Sequence, residues 1–241
     1  MSDTLIVVPA YNESANIEKS LSALLAKGMD ADILVIDDGS SDDTARLARQ
    51  YPVTVISHPC NLGYGTTLQT GYKYALSQQY SYVIQYDADG QHNADDVVRL
   101  REALRTSGAD LAIGSRFAGD PSFRPGALKL VAIRWFRLLI YVFTRKRISD
   151  PTSGLRGLSR RLLYHYARST RFPEDFPDAD FVTDVLLRRW MVVEVPIGSH
   201  EREQGQSMHA GWKPLVYMGK VTLSMIGVAL NHLLGKRGVT T

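Results

Sequence analysis

The chain has 241 residues, 44% hydrophobic and 22% charged, which excludes a disordered chain, a collagen-like chain and a heptad coiled coil. Its single cysteine, Cys60, excludes an internal disulfide framework and a multi-cysteine zinc site, and suits a reducing compartment. The net charge of +3 hides an asymmetry: residues 1–127 carry 10 Lys and Arg against 16 Asp and Glu, and residues 128–241 carry 18 against 9, so the basic half suits phosphates, lipid headgroups or nucleic acid.

No secretion signal is expected, because Asp3 stands where a basic segment belongs and the apolar run stops at Pro9. Residues 4–8 form the first expected strand. Ser14 is placed to cap a helix whose apolar positions are Ile17, Leu21, Leu24 and Leu25, and Gly28 ends it. Residues 33–36 give a second strand, and Ser40 or Ser41 caps a helix with Asp42 and Asp43 in its first turn. A third strand covers 53–57, and the loop N-L-G-Y-G at 61–65 opens a helix that runs to about Ser77. Residues 82–86 make a strand, 94–106 a helix and 111–114 a fifth strand. This alternation implies parallel βαβ units in a sheet covered on both faces, with ligands bound beyond the carboxyl ends of the strands.

Chemistry-bearing residues stand at those ends. Asp87 and Asp89, leaving a strand through Gly90, can both reach one hard cation, with Gln91 adding a carbonyl oxygen. Such a cation bridges a diphosphate; the alternative is a simple Asp-Gly turn. Asp37 and Asp38 suit hydrogen bonds to a base or a ribose, or else begin a helix. The dinucleotide fingerprint and the Walker A sequence are both missing, which argues against a nicotinamide dehydrogenase and a P-loop enzyme.

The second half is less regular. Residues 128–144 form an amphipathic helix with Leu128, Val131, Trp135, Leu138, Leu139 and Val142 on one face. Arg134, Arg137 and Tyr141 lie opposite, and Arg145, Lys146 and Arg147 follow. That stripe suits either the surface of an anionic bilayer or the protein's own core; a second apolar segment at 214–234, also flanked by cations, favours the bilayer. The longest uncharged stretch, 221–234, is too short to span a membrane reliably. The D-P-T-S-G turn at 150–154 can offer Ser153 to a phosphate. Asp178 or Asp180 is either a general base or a helix-start acid, before a helical run that ends near Trp190 and a strand at 192–196. The polar stretch 200–209 reads as a loop carrying Arg202, a candidate diphosphate clamp.

Together these segments resemble family 2 glycosyltransferases of the GT-A fold, and within them the dolichol-phosphate mannosyltransferase and polyprenyl-phosphate glycosyltransferase group. The resemblance rests on P-A-Y-N-E at 9–13, V-I-D-D-G-S-S-D-D-T at 35–44, N-L-G-Y-G at 61–65 and D-A-D-G-Q-H at 87–92. It continues with G-S-R at 114–116, D-P-T-S-G-L-R at 150–156, E-V-P-I at 194–197 and R-E-Q-G-Q-S at 202–207, so it spans nearly the whole chain.

The resemblance implies an α/β GT-A domain over residues 1–210, with a nucleotide-sugar half to about 120, an acceptor half after it, and a membrane-associating segment at 211–241. It places Pro9, Ala10, Tyr11 and Glu13 on the nucleotide, with Asp38 on the base. It makes Asp87, Asp89 and Gln91 ligands of Mg²⁺ or Mn²⁺, with Asp89 the foremost catalytic candidate. It puts Arg116 and Arg202 on phosphates, Asp150 and Ser153 on the acceptor side, and Gln206 among the substrate-binding residues. The implied reaction moves a sugar, with inversion, from a GDP- or UDP-sugar to a polyprenyl phosphate at the cytoplasmic face of a membrane, by peripheral attachment. The alternatives are a glycan or other non-lipid acceptor in cell-envelope polysaccharide synthesis, or a nucleotide-sugar binder without turnover. No nucleic-acid-binding motif accompanies the basic half, so nucleic acid is not expected as a partner.

Overall fold

The computed structural model describes residues 2–90, 92–119, 123, 125–169, 172, 177–198 and 213–235. In chain order its elements are β1 (Thr4–Ala10), α1 (Ile17–Leu25), β2 (Asp32–Asp37), α2 (Thr44–Ala48), β3 (Thr54–Ser57), α3 (Tyr64–Ser77), β4 (Tyr82–Gln85) and α4 (Ala94–Ser107). These are followed by β5 (Leu111–Ser115), α5 (Arg116–Gly119), α6 (Ala127–Thr144), β6 (Arg156–Ser159), α7 (Arg160–Ala167), α8 (Ala179–Leu187), β7 (Val192–Pro196) and α9 (Lys213–Gly235).

The strands form one sheet in the order β3-β2-β1-β4-β6-β5-β7. Neighbouring pairs are parallel except where β6 runs antiparallel between β4 and β5. β1 is apolar at every interior position because both faces of the sheet are covered. Leu5 and Val7 face a core shared with α3, α6, α7 and α8; Ile6 and Val8 face one shared with α1 and α4. The expected end of β1 at Val8 is two residues short, since the strand continues through Pro9 to Ala10. Val7 accepts from Tyr86 N and Ala10 from Asp38 N, so Pro9 turns its nitrogen to the β4 side. The β4 ladder ends at Val7, so the N–H that proline lacks has no partner to lose.

Two helix starts shift. α1 begins at Ile17, with Asn16 and not Ser14 at the N-cap position and no side-chain capping bond, and α2 begins at Thr44. Asp42 therefore precedes the helix, where its carboxylate accepts from Thr44 N and Ser14 N and stitches two loops together. β6 and α7 lie beyond the part of the chain where alternation was legible.

In α6 the side that packs inward is Ile133, Phe136 and Ile140. The expected apolar stripe is left exposed except at Leu139, which packs against the core: Val131 is 55% accessible, Leu138 51% and Val142 49%. Arg137 departs from the expected cationic rim. It points inward, stacks 4.2 Å above the Phe117 ring and donates to Ser149 O. α9 buries Val221 and Met225 and exposes Leu223, Leu230, Leu233 and Leu234. Trp135 Nε1 donates to Thr222 Oγ1 at 3.0 Å, joining the two exposed faces. Among the described residues no helix is long and apolar enough to cross a membrane.

Candidate active site

The loops after β1, β2, β3, β4 and β5 meet at one edge of the sheet, where the strand-end motifs were expected to gather. Asn12 adopts a left-handed φ of 54°, accepts from Ser41 N through Oδ1 and donates its own N–H to Ser40 Oγ. Pro9 and Ala10 are buried beneath this loop, and Tyr11 is 48% exposed on top of it. Gly39 is required here: its φ is 69°, and a Cβ would lie 2.5 Å from the backbone carbon of Cys60.

The carboxylate of Asp38, the residue expected on the base, meets groups of the protein itself. One oxygen is 2.7 Å from His58 Nδ1 and accepts from Leu62 N, and the other accepts from Gly63 N at 2.9 Å. Asp38 is only 4% exposed and shapes the 61–65 loop. Glu13 is held by Asn16, whose Nδ2 donates to Oε2 at 2.7 Å, and by Thr44, whose Oγ1 accepts from its N–H.

Asp87 is the centre of the acidic site. Tyr64 donates its hydroxyl hydrogen to Asp87 Oδ1 at 2.8 Å, and His92 Nε2 lies 3.8 Å from Oδ2. A Cβ on Gly154 would stand 2.3 Å from that same Oδ2, so glycine there lets the 150–154 turn close over the carboxylate. Burial pushes the Asp87 carboxyl up, Asp178 and Glu13 push the same way, and Tyr64 and Arg156 oppose them. Arg156 is the buried cation beneath the site. It donates to Pro177 O and to Pro151 O, and lies 3.5 Å from Asp178 Oδ1. Burial keeps His92 neutral, with its pKa pushed down to about 4. Among the described residues, His92 Nδ1 and Ser153 Oγ are buried with no hydrogen-bond partner. Arg156 Nε is likewise buried without a hydrogen-bond partner, and such orphaned polar atoms beside the acidic site are a cost that a bound polar ligand removes.

Arg116 and Asp150, expected on a phosphate and on the acceptor, hold each other. Arg116 Nε donates to Asp150 Oδ2 at 2.7 Å and Nη2 to Oδ1 at 2.8 Å, with Nη2 also donating to Thr152. The pair is buried, and two of the three guanidinium nitrogens are committed to it, so it braces the turn. Glu194 of β7 anchors the same turn, accepting from Ser149 N, Ser149 Oγ and Asp150 N.

Asp180 stands in the first turn of α8. It is 2% exposed, and accepts from Phe181 N at 2.8 Å, Asp178 N at 3.0 Å and Ser224 Oγ at 2.5 Å. Asp178 does reach the site, where it accepts from the Tyr217 hydroxyl of α9 and faces Arg156. Lys129, at the start of α6, shares the electrostatic neighbourhood of Arg116, Asp150, Asp178 and Asp89, and desolvation and Arg116 push its pKa down. Gln91, Arg202 and Gln206 lie outside the described residues.

The sequence profile of the family described as "Glycosyl transferase family 2" matches residues 5–167, which contain these strand-end loops and the 150–154 turn. The chain belongs to glycosyl transferase family 2. Within the family it is 32% identical over 220 residues to the polyprenol monophosphomannose synthase of Mycolicibacterium smegmatis, covering 86% of this chain and 81% of that protein. It is 31% identical over 218 residues to the undecaprenyl-phosphate mannosyltransferase of Micrococcus luteus, covering 86% and 87%. The glucosyl-3-phosphoglycerate synthase of Mycobacterium tuberculosis, solved with Mn²⁺ and uridine-diphosphate-glucose, superposes with a TM-score of 0.71 at 20% identity, over 94% of this chain and 78% of that one. The fold of this family 2 glycosyltransferase is therefore the GT-A type expected from its sequence motifs.

Tyr64, His92 and Arg156 stood inside quoted motifs without being singled out. Lys129 and Tyr217 carried no signal, because each sits in a segment read as an apolar helix.

Proposed function

We propose that this glycosyltransferase moves a sugar from a GDP- or UDP-sugar to a polyprenyl or dolichyl phosphate at a membrane surface. The observation that carries the reading is the placement of α6. Its amino end, at Lys129, shares the electrostatic neighbourhood of the acidic site, while its apolar stripe is left uncovered. A lipid acceptor needs both a polar site for its phosphate and an apolar surface beside it. The names of the mannosyltransferase relatives support the same acceptor class. The exposed, unpaired Cys60 fits a reducing compartment and hence the cytoplasmic face.

Mg²⁺ or Mn²⁺ fits the residues present. The donors are carboxylate oxygens, and the crowding of Asp87 by Asp178 and Glu13 is relieved by a divalent cation. Among the described residues no three His, Cys, Asp or Glu side chains cluster as a complete ligand set. Asp87 and Asp89 would thus hold the ion together with donor oxygens, and Gln91 would join them. When bound, the ion neutralises charge on the leaving diphosphate.

The chain's own residues do the rest. The 9–13 loop, carrying Tyr11 and Glu13, holds the nucleoside. Ser153 offers its unpaired hydroxyl to a phosphate oxygen, and Lys129 attracts the acceptor. The acceptor phosphate oxygen forms a bond to the anomeric carbon as the bond to the diphosphate oxygen breaks on the opposite face. The attacking oxygen is already anionic, so Asp178 need not remove a proton and serves to hold Arg156 and Tyr217 in register. Alignment and charge stabilisation carry the catalysis. Acceptor choice tests the reading: labelled donor should pass to polyprenyl phosphate and not to soluble oligosaccharides, and the reverse preference would overturn it.

A further inference from the structure

At the other edge of the sheet, away from the acidic loops, the carboxyl ends of α6 and α8 and the start of β7 enclose a cavity of about 640 Å³. Phe143, Trp190 and Met191 give it apolar walls, and Lys146, Arg147 and Arg189 line it with positive charge. A second cavity, of about 540 Å³, shares Arg189 and Trp190 with the first and reaches His232 of α9. No acidic residue lines either one.

The neighbouring cations are already engaged. Arg188 pairs with Asp184 at 2.9 Å, and Arg161 lies over the Trp190 ring at 5.3 Å. Lys146, Arg147 and Arg189 are exposed and form no ion pair among the described residues, although Arg147 lies over the Tyr141 ring at 5.8 Å. Arg145 and Arg189 both sit in the left-handed region, at φ 59° and 60°, just past the ends of α6 and α8. Glycine is the usual occupant of that position. A helix carboxyl end favours one cation, which accounts for Arg145 and Arg189. It does not account for Lys146 and Arg147, which lie beyond the last turn.

The cleft lies where the two exposed apolar faces end. On α6 the face leads through Leu138 and Val142, and on α9 through Leu230, Leu233 and Leu234. Unpaired cations at the end of uncovered apolar helix faces match a phosphodiester headgroup whose acyl chains lie along those faces. α6 has 18 residues, so it is about 27 Å long and carries Lys129 at one end and this cleft at the other. A membrane lying along α6 would touch both ends at once.

We propose that the cleft formed by Lys146, Arg147 and Arg189 binds the headgroup of an anionic phospholipid, as a second lipid contact separate from the acceptor site. It rests on the membrane-surface reading of α6 and α9. A two-point contact would fix the tilt of α6 against the membrane and hold the acidic site at headgroup level.

The test is flotation of the full chain with vesicles of phosphatidylcholine alone and of phosphatidylcholine mixed with phosphatidylglycerol. Wild type should prefer the mixed vesicles. The triple variant Lys146→Gln/Arg147→Gln/Arg189→Gln should lose that preference by roughly tenfold or more, with turnover in detergent unchanged. A control, Arg49→Gln/Arg99→Gln/Arg105→Gln, removes the same charge from the α2 and α4 side and should keep the preference. Equal loss in the control, or full retention in the cleft variant, would overturn the proposal. So would wild type that binds both vesicle types equally, though the membrane reading would then survive. Wild type that binds neither would overturn that reading and this proposal with it.

Discussion

Arg116 and Asp150 face each other through two near-parallel N–H···O bonds of 2.7 and 2.8 Å, joining the end of β5 to a turn 34 residues further on. Both side chains are buried, so the pair is a fixed brace for the turn that carries Ser153 and Gly154. Removing one partner leaves the other charge buried alone. Arg116→Gln should lower unfolding stability by about 3–5 kcal/mol, measured by urea denaturation. A loss under about 1 kcal/mol would mean that the pair is solvated in practice.

Gly154 gives a sharper test of the site. A Cβ there would meet Asp87 Oδ2 at 2.3 Å, so Gly154→Ala must displace either the carboxylate or the turn. Turnover should fall on the order of a hundredfold, because small displacements of a positioning group are that costly. Stability should change far less, because the contact is one side chain at the edge of the sheet. Unchanged kcat in a folded variant would show that Asp87 does not need its present position.

The contrast between these two residues shows what was legible. The first five strands announced themselves because buried parallel strands are short apolar runs between turn residues. The strand-end rule then put Asp87, Asp89 and the 9–13 loop at one edge. β6 was hidden because Arg156–Ser159 is four residues long, begins with arginine and contains Gly157, so no alternation marks it. Pairing is a long-range matter there: Gly157 lies between Ile84 of β4 and Ala112 of β5. The internal partners of Asp38, Arg116 and Asp180 were hidden for a related reason. An acid or an arginine at a strand end suits a ligand or a loop equally well, and only the partner decides. For Asp38 the partners are His58 and the 62–63 backbone, for Arg116 Asp150, and for Asp180 Ser224.

Acid should weaken the α7–α8–α9 contact. Asp184 accepts from Tyr166 of α7, Arg188 just past the end of α8 and His232 of α9. Burial raises its pKa, but the bonds from Arg188, Tyr166 and His232 outweigh it and hold the carboxyl below its ordinary value. A depressed carboxyl contributes stability above its unfolded pKa and loses it as pH falls through the folded value. Burial and Arg188 likewise depress His165, so its protonation also favours the unfolded chain. Stability should therefore decline as pH drops below about 6.5, and further below about 4. Asp184→Asn should flatten the lower part of that decline in thermal unfolding across pH. A variant curve parallel to wild type throughout would remove Asp184 from the account.

The central claim is metal-dependent transfer of a sugar to a lipid phosphate, and one assay addresses it. The full chain would be incubated in liposomes with polyprenyl phosphate, Mg²⁺ or Mn²⁺ and a panel of GDP- and UDP-sugars, and products read by mass spectrometry, alongside Asp89→Asn. The account predicts a polyprenyl-phosphate sugar from wild type with one donor, lost on chelation and lost in a variant that still folds. Donor binding with no lipid product, or an Asp89→Asn enzyme that turns over as wild type does, would contradict it.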